Sequence, residues 1–151
     1  MIRKIRNDEQ EIDEVMAIWA RGNMKNHSFI DKDFWLEKYT MVKQEVLPLA
    51  DTYVYEEEVK NGKEIKGFIS VLNESGYVGC LFVNEAYKNN GIGRKLINFC
   101  KNKYDQLIMK IYKENTGAMI FGVKMGFKNI ESCEDMETGQ VQHIMMWQDE
   151  N

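Results

Sequence analysis

The sequence predicts a single α+β domain on a mixed β-sheet, and three features predict it. Two strand-forming runs, Thr52–Glu56 and Ile65–Val71, flank an Asn61-Gly62 turn, the signature of an antiparallel hairpin. An apolar run, Tyr77–Val83, is followed by a helical pattern and then by a second apolar run, Leu107–Tyr112. That is a strand–helix–strand crossover, whose strands lie parallel. Two further runs, Phe127–Cys133 and Val141–Trp147, close the chain as a hairpin around Gly139.

Before the first hairpin, Ile2 and Ile5 mark a short opening strand and Asp8 is placed to cap a helix. Ile12, Val15, Met16 and Trp19 fall at i, i+3, i+4 and i+7, one helical face, and Gly22 offers a stop. Residues 23–31 then form a bend, and a second helix runs from Asp31 through Phe34, Trp35, Tyr39 and Met41 toward Pro48. A turn at Asn73-Glu74-Ser75-Gly76 leads into Tyr77–Val83, whose nearly continuous apolar character suits a central strand buried on both faces. Ile92, Leu96, Phe99, Cys100 and Lys103 mark the crossover helix, and Asn115–Met125 a last helix capped by Gly126. With no repeat or linker, residues 1–151 read as one domain.

The whole chain excludes several functions. With 151 residues, 44% hydrophobic and 29% charged, it can bury one sizeable core. A net charge of −4 lacks the excess of lysine and arginine that nucleic acid requires. No apolar run approaches the roughly 20 residues that span a bilayer, and Met1-Ile2-Arg3-Lys4-Ile5-Arg6 lacks a signal peptide's apolar stretch, so a cytoplasmic location with no membrane partner is expected. Cys80, Cys100 and Cys133 form an odd set without metal-ligand spacing, which reads as buried thiols, with no disulfide framework and no metal site.

Chemistry concentrates at Lys88-Asn89-Asn90-Gly91-Ile92-Gly93-Arg94, where a strand end, a short polar loop and two glycines precede a helix. Such a loop aims backbone N–H groups and the positive end of a helix dipole at one spot, a natural seat for phosphate. Gly91 and Gly93 allow the backbone to approach the anion, while Arg94 and Lys95 add charge. A Walker A loop is absent, and a dinucleotide loop fails because Leu96 stands at its third glycine.

An apolar strand, four residues, and then Lys-x-x-Gly-Ile-Gly-Arg resembles the pyrophosphate motif of the GNAT family of acetyl-CoA-dependent N-acetyltransferases. A second family pattern, Asn-x-x-Ala-x-x-Phe-Tyr-x-x-x-Gly-Phe, is matched at Asn115, Ala118, Phe121, Gly126 and Phe127. Together the likeness covers nearly the whole chain. Within the family, the N-terminal half and the closing Met145-Met146-Trp147-Gln148 resemble the YjaB-type branch, small bacterial acetyltransferases associated with protein lysines. The resemblance implies a splayed sheet of about seven strands flanked by about four helices, with acetyl-CoA as co-substrate in the gap between strands 77–83 and 107–112. It implies that N–H groups of Asn89 through Arg94, beside Lys88, cradle the coenzyme's pyrophosphate. Leu81, Phe82 and Val83 would pair with the pantetheine arm as an added strand would. Asn115 would hold the arm from the other side and Phe121 would pack beside it.

One departure bears on mechanism. The family's tyrosine, which protonates the departing thiolate, falls on Gly122. Tyr112, or a water admitted by the space Gly122 leaves, could replace it, with Tyr87 and Cys80 as weaker candidates; a thiol of pKa near 8.5 also leaves tolerably as an anion. For a base to deprotonate the amine, His27 in the helical bend is the candidate, oriented by Asp31, with Glu56 as rival and His143 assigned to the last strand. Phe29 and Trp35 of the bend, with Glu131, Glu134, Asp135 and Glu137 of the closing hairpin, suit a cationic amine acceptor, small molecule or protein lysine. A second reading, prompted by Gly122, is a non-catalytic acyl-CoA-binding or sensing module. A homodimer through the last strands is expected by analogy with the fold.

Overall fold

The computed structural model describes residues 1–72 and 74–150, so Asn73 of the expected 73–76 turn lies outside the described residues. In chain order the elements are β1 (Ile2–Lys4), α1 (Glu9–Asn26), α2 (Lys32–Met41), a π-helical stretch (Val42–Val46) continuing into the single turn α3 (Leu47–Leu49), β2 (Asp51–Val59), β3 (Gly62–Leu72), β4 (Tyr77–Val83), α4 (Ile92–Lys101), β5 (Gln106–Tyr112), α5 (Thr116–Lys124), β6 (Lys128–Glu134) and β7 (Val141–Gln148). The strands form one sheet in the order β1-β2-β3-β4-β5-β7-β6. Every neighbouring pair is antiparallel except β4–β5, which α4 joins as a parallel crossover. The mixed sheet, both hairpins and the crossover therefore stand as expected from sequence.

Helices cover both faces. Phe68 and Ile69, adjacent on β3 and fully buried, point to opposite sides. Phe68 packs with Val15, Met16, Trp19 and Trp35 of α1 and α2, while Ile69 packs with Leu96, Ile97 and Cys100 of α4. The strand enclosed on both faces is thus β3. On β4, expected to fill that role, Leu81, Phe82 and Val83 are only half-buried because the sheet opens beside them.

Local capping follows the residue chemistry. Asp8 accepts from the backbone N–H of Gln10 and Asp31 from that of Asp33, starting α1 and α2. Asn115 caps α5 through the N–H of Ala118, and Gly126 ends the region with a left-handed φ of 88°. At the sheet's first edge, Arg3 joins Glu56 and Glu11 at 2.8 and 2.7 Å, tying β1 to β2 and α1.

The expected stop at Gly22 is corrected. Helix α1 continues to Asn26, and His27 caps it by donating its backbone N–H to Asn23 O. A glycine in a helix interior costs about 1 kcal/mol relative to alanine. Here it is needed because α1 crosses β4 so closely that a Cβ at 22 would collide with the Phe82 ring. The bend is accordingly shorter than residues 23–31, starting at His27. Gly22→Ala should therefore displace Phe82, with a net loss on the order of 1–2 kcal/mol in chemical denaturation, overpacking outweighing the gain in helix propensity. An equal or greater stability would show that the two elements do not need this close approach.

Candidate active site

A local irregularity opens the sheet. Ser70 pairs with Cys80 and Val71 with Val78, which leaves Gly79 as an extra residue on β4. A bulge of this kind bends its strand. Before it, Tyr77 and Val78 pair with Ile108 and Met109 of β5; beyond it, β4 has no partner on that side. The other edge of β4 stays paired, Leu81 with Ile69, Phe82 with Phe68 and Val83 with Gly67. Leu81–Val83 thus offers an unpaired backbone edge to a gap whose far wall is the end of β5.

The glycine loop lies at the outer end of this edge. Asn84 caps a short turn, Glu85–Tyr87, and then Asn89 and Gly91 take left-handed φ values of 66° and 79°. Gly91 is the N-cap of α4, and a side chain there would be strained in that conformation. Among the described residues, no backbone N–H from Asn89 through Arg94 has an acceptor in the chain. Gly93 lies against Phe121, whose ring edge would be 3.4 Å from a Cβ there, and Val83 adjoins the same spot. Lys88, Gly91, Ile92, Gly93 and Arg94 are thereby gathered at one helix start, with Phe121 beside them. The Lys88 ammonium is held at 2.8 Å by Glu85 and at 3.1 Å from Asn26 Oδ1 of α1. Burial of Glu85 raises its pKa, but bonds from Lys25 and Lys88 outweigh this and hold it below the ordinary value.

At the inner end a group of rings closes the gap. His27 stacks on Trp35 at 5.2 Å and meets Tyr112 edge-on at 5.1 Å, with Phe29 against both His27 and Tyr112 at 5.8 Å. The candidate base His27, the candidate acid Tyr112 and the expected acceptor-binding residues Phe29 and Trp35 are therefore gathered in one ring cluster, in which both His27 and Tyr112 touch each of the others. His27 Nδ1 lies 3.0 Å from Asn23 Oδ1 and Nε2 lies 3.2 Å from Asn115 Nδ2. Burial pushes the His27 pKa down to about 4, so the ring is neutral at pH 7. Asp31 does not orient it, a correction to expectation, because that carboxylate is spent on capping α2 and the two asparagines take the role.

The Tyr112 hydroxyl donates to Asp135 Oδ2 at 2.8 Å. Burial, then this bond, hold its pKa well above that of a free phenol. Asp135 also accepts from Thr138 Oγ1, and Glu137 meets Lys38 of α2 at 2.5 Å. The β6–β7 loop is thus tied to Tyr112 and to α2, and Phe34, Glu37, Lys38, Met41 and Glu137 line a groove between the loop and that helix. Glu131 and Glu134 instead stand exposed on β6.

Other candidates find different roles. Glu56, the rival base, is bound by Arg3, whose bond holds its carboxyl below the ordinary range. Gly122 leaves no space for water, since a Cβ there would meet Met145 Sδ at 3.2 Å. Tyr87 donates to Glu64, and burial pushes the Cys80 thiol up to about 12. His143 is in β7, as expected. Among the described residues no cluster could hold a metal ion, and no helix is long and apolar enough to cross a membrane. Asn23, Gly79 and the role of Asp135 escaped sequence reasoning. The i, i+4 spacing of Asn23 and His27 on a helix, and a lone glycine inside a strand, were the available signals.

Comparison with known proteins identifies the family and the fold. The family model described as Acetyltransferase (GNAT) domain matches residues 27–148. The peptidyl-lysine N-acetyltransferase YiaC of Escherichia coli (strain K12) is 26% identical over 147 residues, covering 97% of this chain and 96% of that protein. The peptidyl-lysine N-acetyltransferase YjaB of the same organism is 28% identical over 127 residues, 84% and 81% of the two chains. The solution structure of apo-form YjaB has the same fold, with a TM-score of 0.79 at 24% identity over 97% of each chain. An aminoglycoside 6′-N-acetyltransferase complexed with coenzyme A reaches a TM-score of 0.72 at 14% identity, covering 98% of this chain and 96% of that one.

The His27 ring makes stability pH-dependent in a defined direction. Between pH 6.5 and 4 the unfolded chain takes up a proton at this position and the folded chain does not, so stability falls as pH falls through that window. The loss should be on the order of 2–3 kcal/mol by pH 4. Urea denaturation of the native chain and of His27→Gln at pH 7 and at pH 4.5 measures it as the difference between the two pH dependences. Parallel dependences would show that the ring is not held neutral.

Proposed function

The chain belongs to the GNAT acetyltransferase family and is an acetyl-CoA-dependent N-acetyltransferase, and we propose that its acceptor is the side-chain amine of a protein lysine. The unpaired edge of Leu81–Val83, running from the N–H groups of the glycine loop to the ring cluster, carries the site reading. On this reading the N–H groups of Asn89 through Arg94 and the Arg94 side chain take the pyrophosphate. The pantetheine amides pair with Leu81, Phe82 and Val83 as an added strand would. Asn115 and Phe121 bound the arm from the β5 side. This places the thioester beside Phe82, His27 and Tyr112.

The lysine reading rests on the two relatives named as peptidyl-lysine acetyltransferases and on the groove between the β6–β7 loop and α2. That groove pairs apolar Phe34 and Met41 with Glu37 and Glu137. It suits an alkyl stem ending in a cation, and Lys38 of the chain itself lies there, 5.4 Å from the Phe34 ring centroid and bound to Glu137. Phe29 and Trp35 line the inner approach.

The amine attacks the thioester carbonyl directly, the carbon–sulfur bond breaks, and coenzyme A leaves as thiolate. The attacking nitrogen's proton passes to water. Neither His27 nor Tyr112 has a free position for proton transfer, because Asn115 faces Nε2 of the one and Asp135 accepts the hydroxyl of the other. We place the enzyme in the cytoplasm, consistent with three unpaired thiols. A homodimer would use β6, the sheet's last strand.

Two measurements test this reading. Gly91→Asp puts a carboxylate against the pyrophosphate on a strained backbone. It should weaken acetyl-CoA binding by roughly a hundredfold or more in calorimetry. Unchanged affinity would remove the loop from the site. Without a protein base, kcat/KM for a lysine peptide should rise about tenfold per pH unit from pH 7 to 9, following the neutral amine, whose pKa is near 10.4. A plateau beginning near neutrality would instead reveal a base in the site.

A further inference from the structure

His27 is a half-buried titratable group that the proposed reaction does not use, and its surroundings determine which of its atoms carries the proton. The chain of hydrogen bonds starts on α1. Trp19, Asn23 and His27 are spaced i, i+4 and i+8, so they stand on one helix face. Asn23 is buried at 3% exposure, and its Nδ2 donates to the Trp19 carbonyl at 3.0 Å. Its Oδ1 must then be the end that meets the histidine, and Nδ1 at 3.0 Å must carry the hydrogen. A neutral ring with hydrogen on Nδ1 has a bare Nε2, which accepts from Asn115 Nδ2 at 3.2 Å. Asn115 Oδ1 in turn accepts from the Ala118 N–H at 3.3 Å. One backbone carbonyl on α1 therefore sets the polarity of every bond as far as the start of α5, with no donor facing a donor.

We propose that His27 is a positioning residue: as the neutral Nδ1–H tautomer, locked by Asn23, it holds the Asn115 amide in the orientation that receives the coenzyme's pantetheine arm. The inference rests on the reading that places that arm beside Asn115. Both bonds of the Asn115 amide are long, so the cap alone holds it loosely and the ring is its second anchor. The ring cannot swing away, because Trp35 stacks on its face and Tyr112 and Phe29 abut it edge-on. Once Nε2 is engaged, Asn115 keeps one N–H on Nδ2 for a ligand. Protonation of His27 would set an N–H against that Nδ2, two donors face to face, and burial opposes it. A base must release and take up a proton at Nε2 during turnover, and this one would break the chain of bonds to do so.

The tautomer can be read in the native protein, since the chain has two histidines and His143→Gln identifies the second. Nitrogen-15 NMR should show a protonated Nδ1 and a bare Nε2 for His27, unchanged from pH 8 to 5. A hydrogen on Nε2, or titration near pH 6.5, would overturn the proposal. Calorimetry with acetyl-CoA on His27→Ala, Asn115→Ala and the double variant then tests the link. Each single change should weaken binding roughly three- to tenfold, the double change no more than the larger single one, and kcat should keep its pH profile. If Asn115→Ala weakens binding and His27→Ala does not, the positioning role fails while the site reading stands. No effect of Asn115→Ala overturns both. A fall in kcat with an altered pH profile and unchanged affinity in His27→Ala would mark the ring as a base and overturn the proposal.

Discussion

The parting of β4 from β5 after Val78 is the constraint on which the rest depends. A parallel pair that zipped to its end would bury the backbone of Cys80–Val83 and leave no cleft. The bulge at Gly79 bends β4 at the residue where pairing stops. The strand's free edge keeps N–H and C=O groups without ladder partners, and an extended amide-bearing ligand such as pantetheine can satisfy them. That a structural strand doubles as half a binding site explains why its apolar residues are half-exposed.

Holding the two halves apart requires contacts that are close and specific. On one side α1 lies against Phe82 at a distance only glycine permits, and on the other Phe121 lies against Gly93. Helix α1 also reaches across the gap. Its last face carries Asn23 and His27 to Asn115 at the start of α5, a link between residues 88 apart in sequence. Polar groups in such a link are costly unless they are paired, and here Asn23, His27 and Asn115 pair with one another from the Trp19 carbonyl to the Ala118 N–H. The sheet's open end is thus bridged by a hydrogen-bonded chain and a stack of rings, where a closed sheet would have used its ladder.

Much of the fold was legible because it follows from periodicity and turn chemistry. Asn61-Gly62, Gly139 and the apolar runs at 77–83 and 107–112 each mark one local event, and each event occurred. The loop at Lys88–Arg94 was legible for the same reason, since two glycines before a helix define a geometry without reference to distant residues. Gly22 misled because its reason is distant: it answers to Phe82, 60 positions on, where a local rule saw a stop. Gly122 misled likewise, since nothing near it in sequence tells that Met145 fills its side.

By itself, then, the sequence determined the α+β class, the order of elements and the family, because local propensity, pattern and motif spacing are properties of neighbouring residues. Only the tertiary structure decided what the titratable groups do. It put His27 between two asparagines instead of beside Asp31, gave the Tyr112 hydroxyl to Asp135, and bound Glu56 to Arg3. A proton's place depends on burial and on partners within hydrogen-bond reach, and those partners come from other elements, whose approach is set by packing.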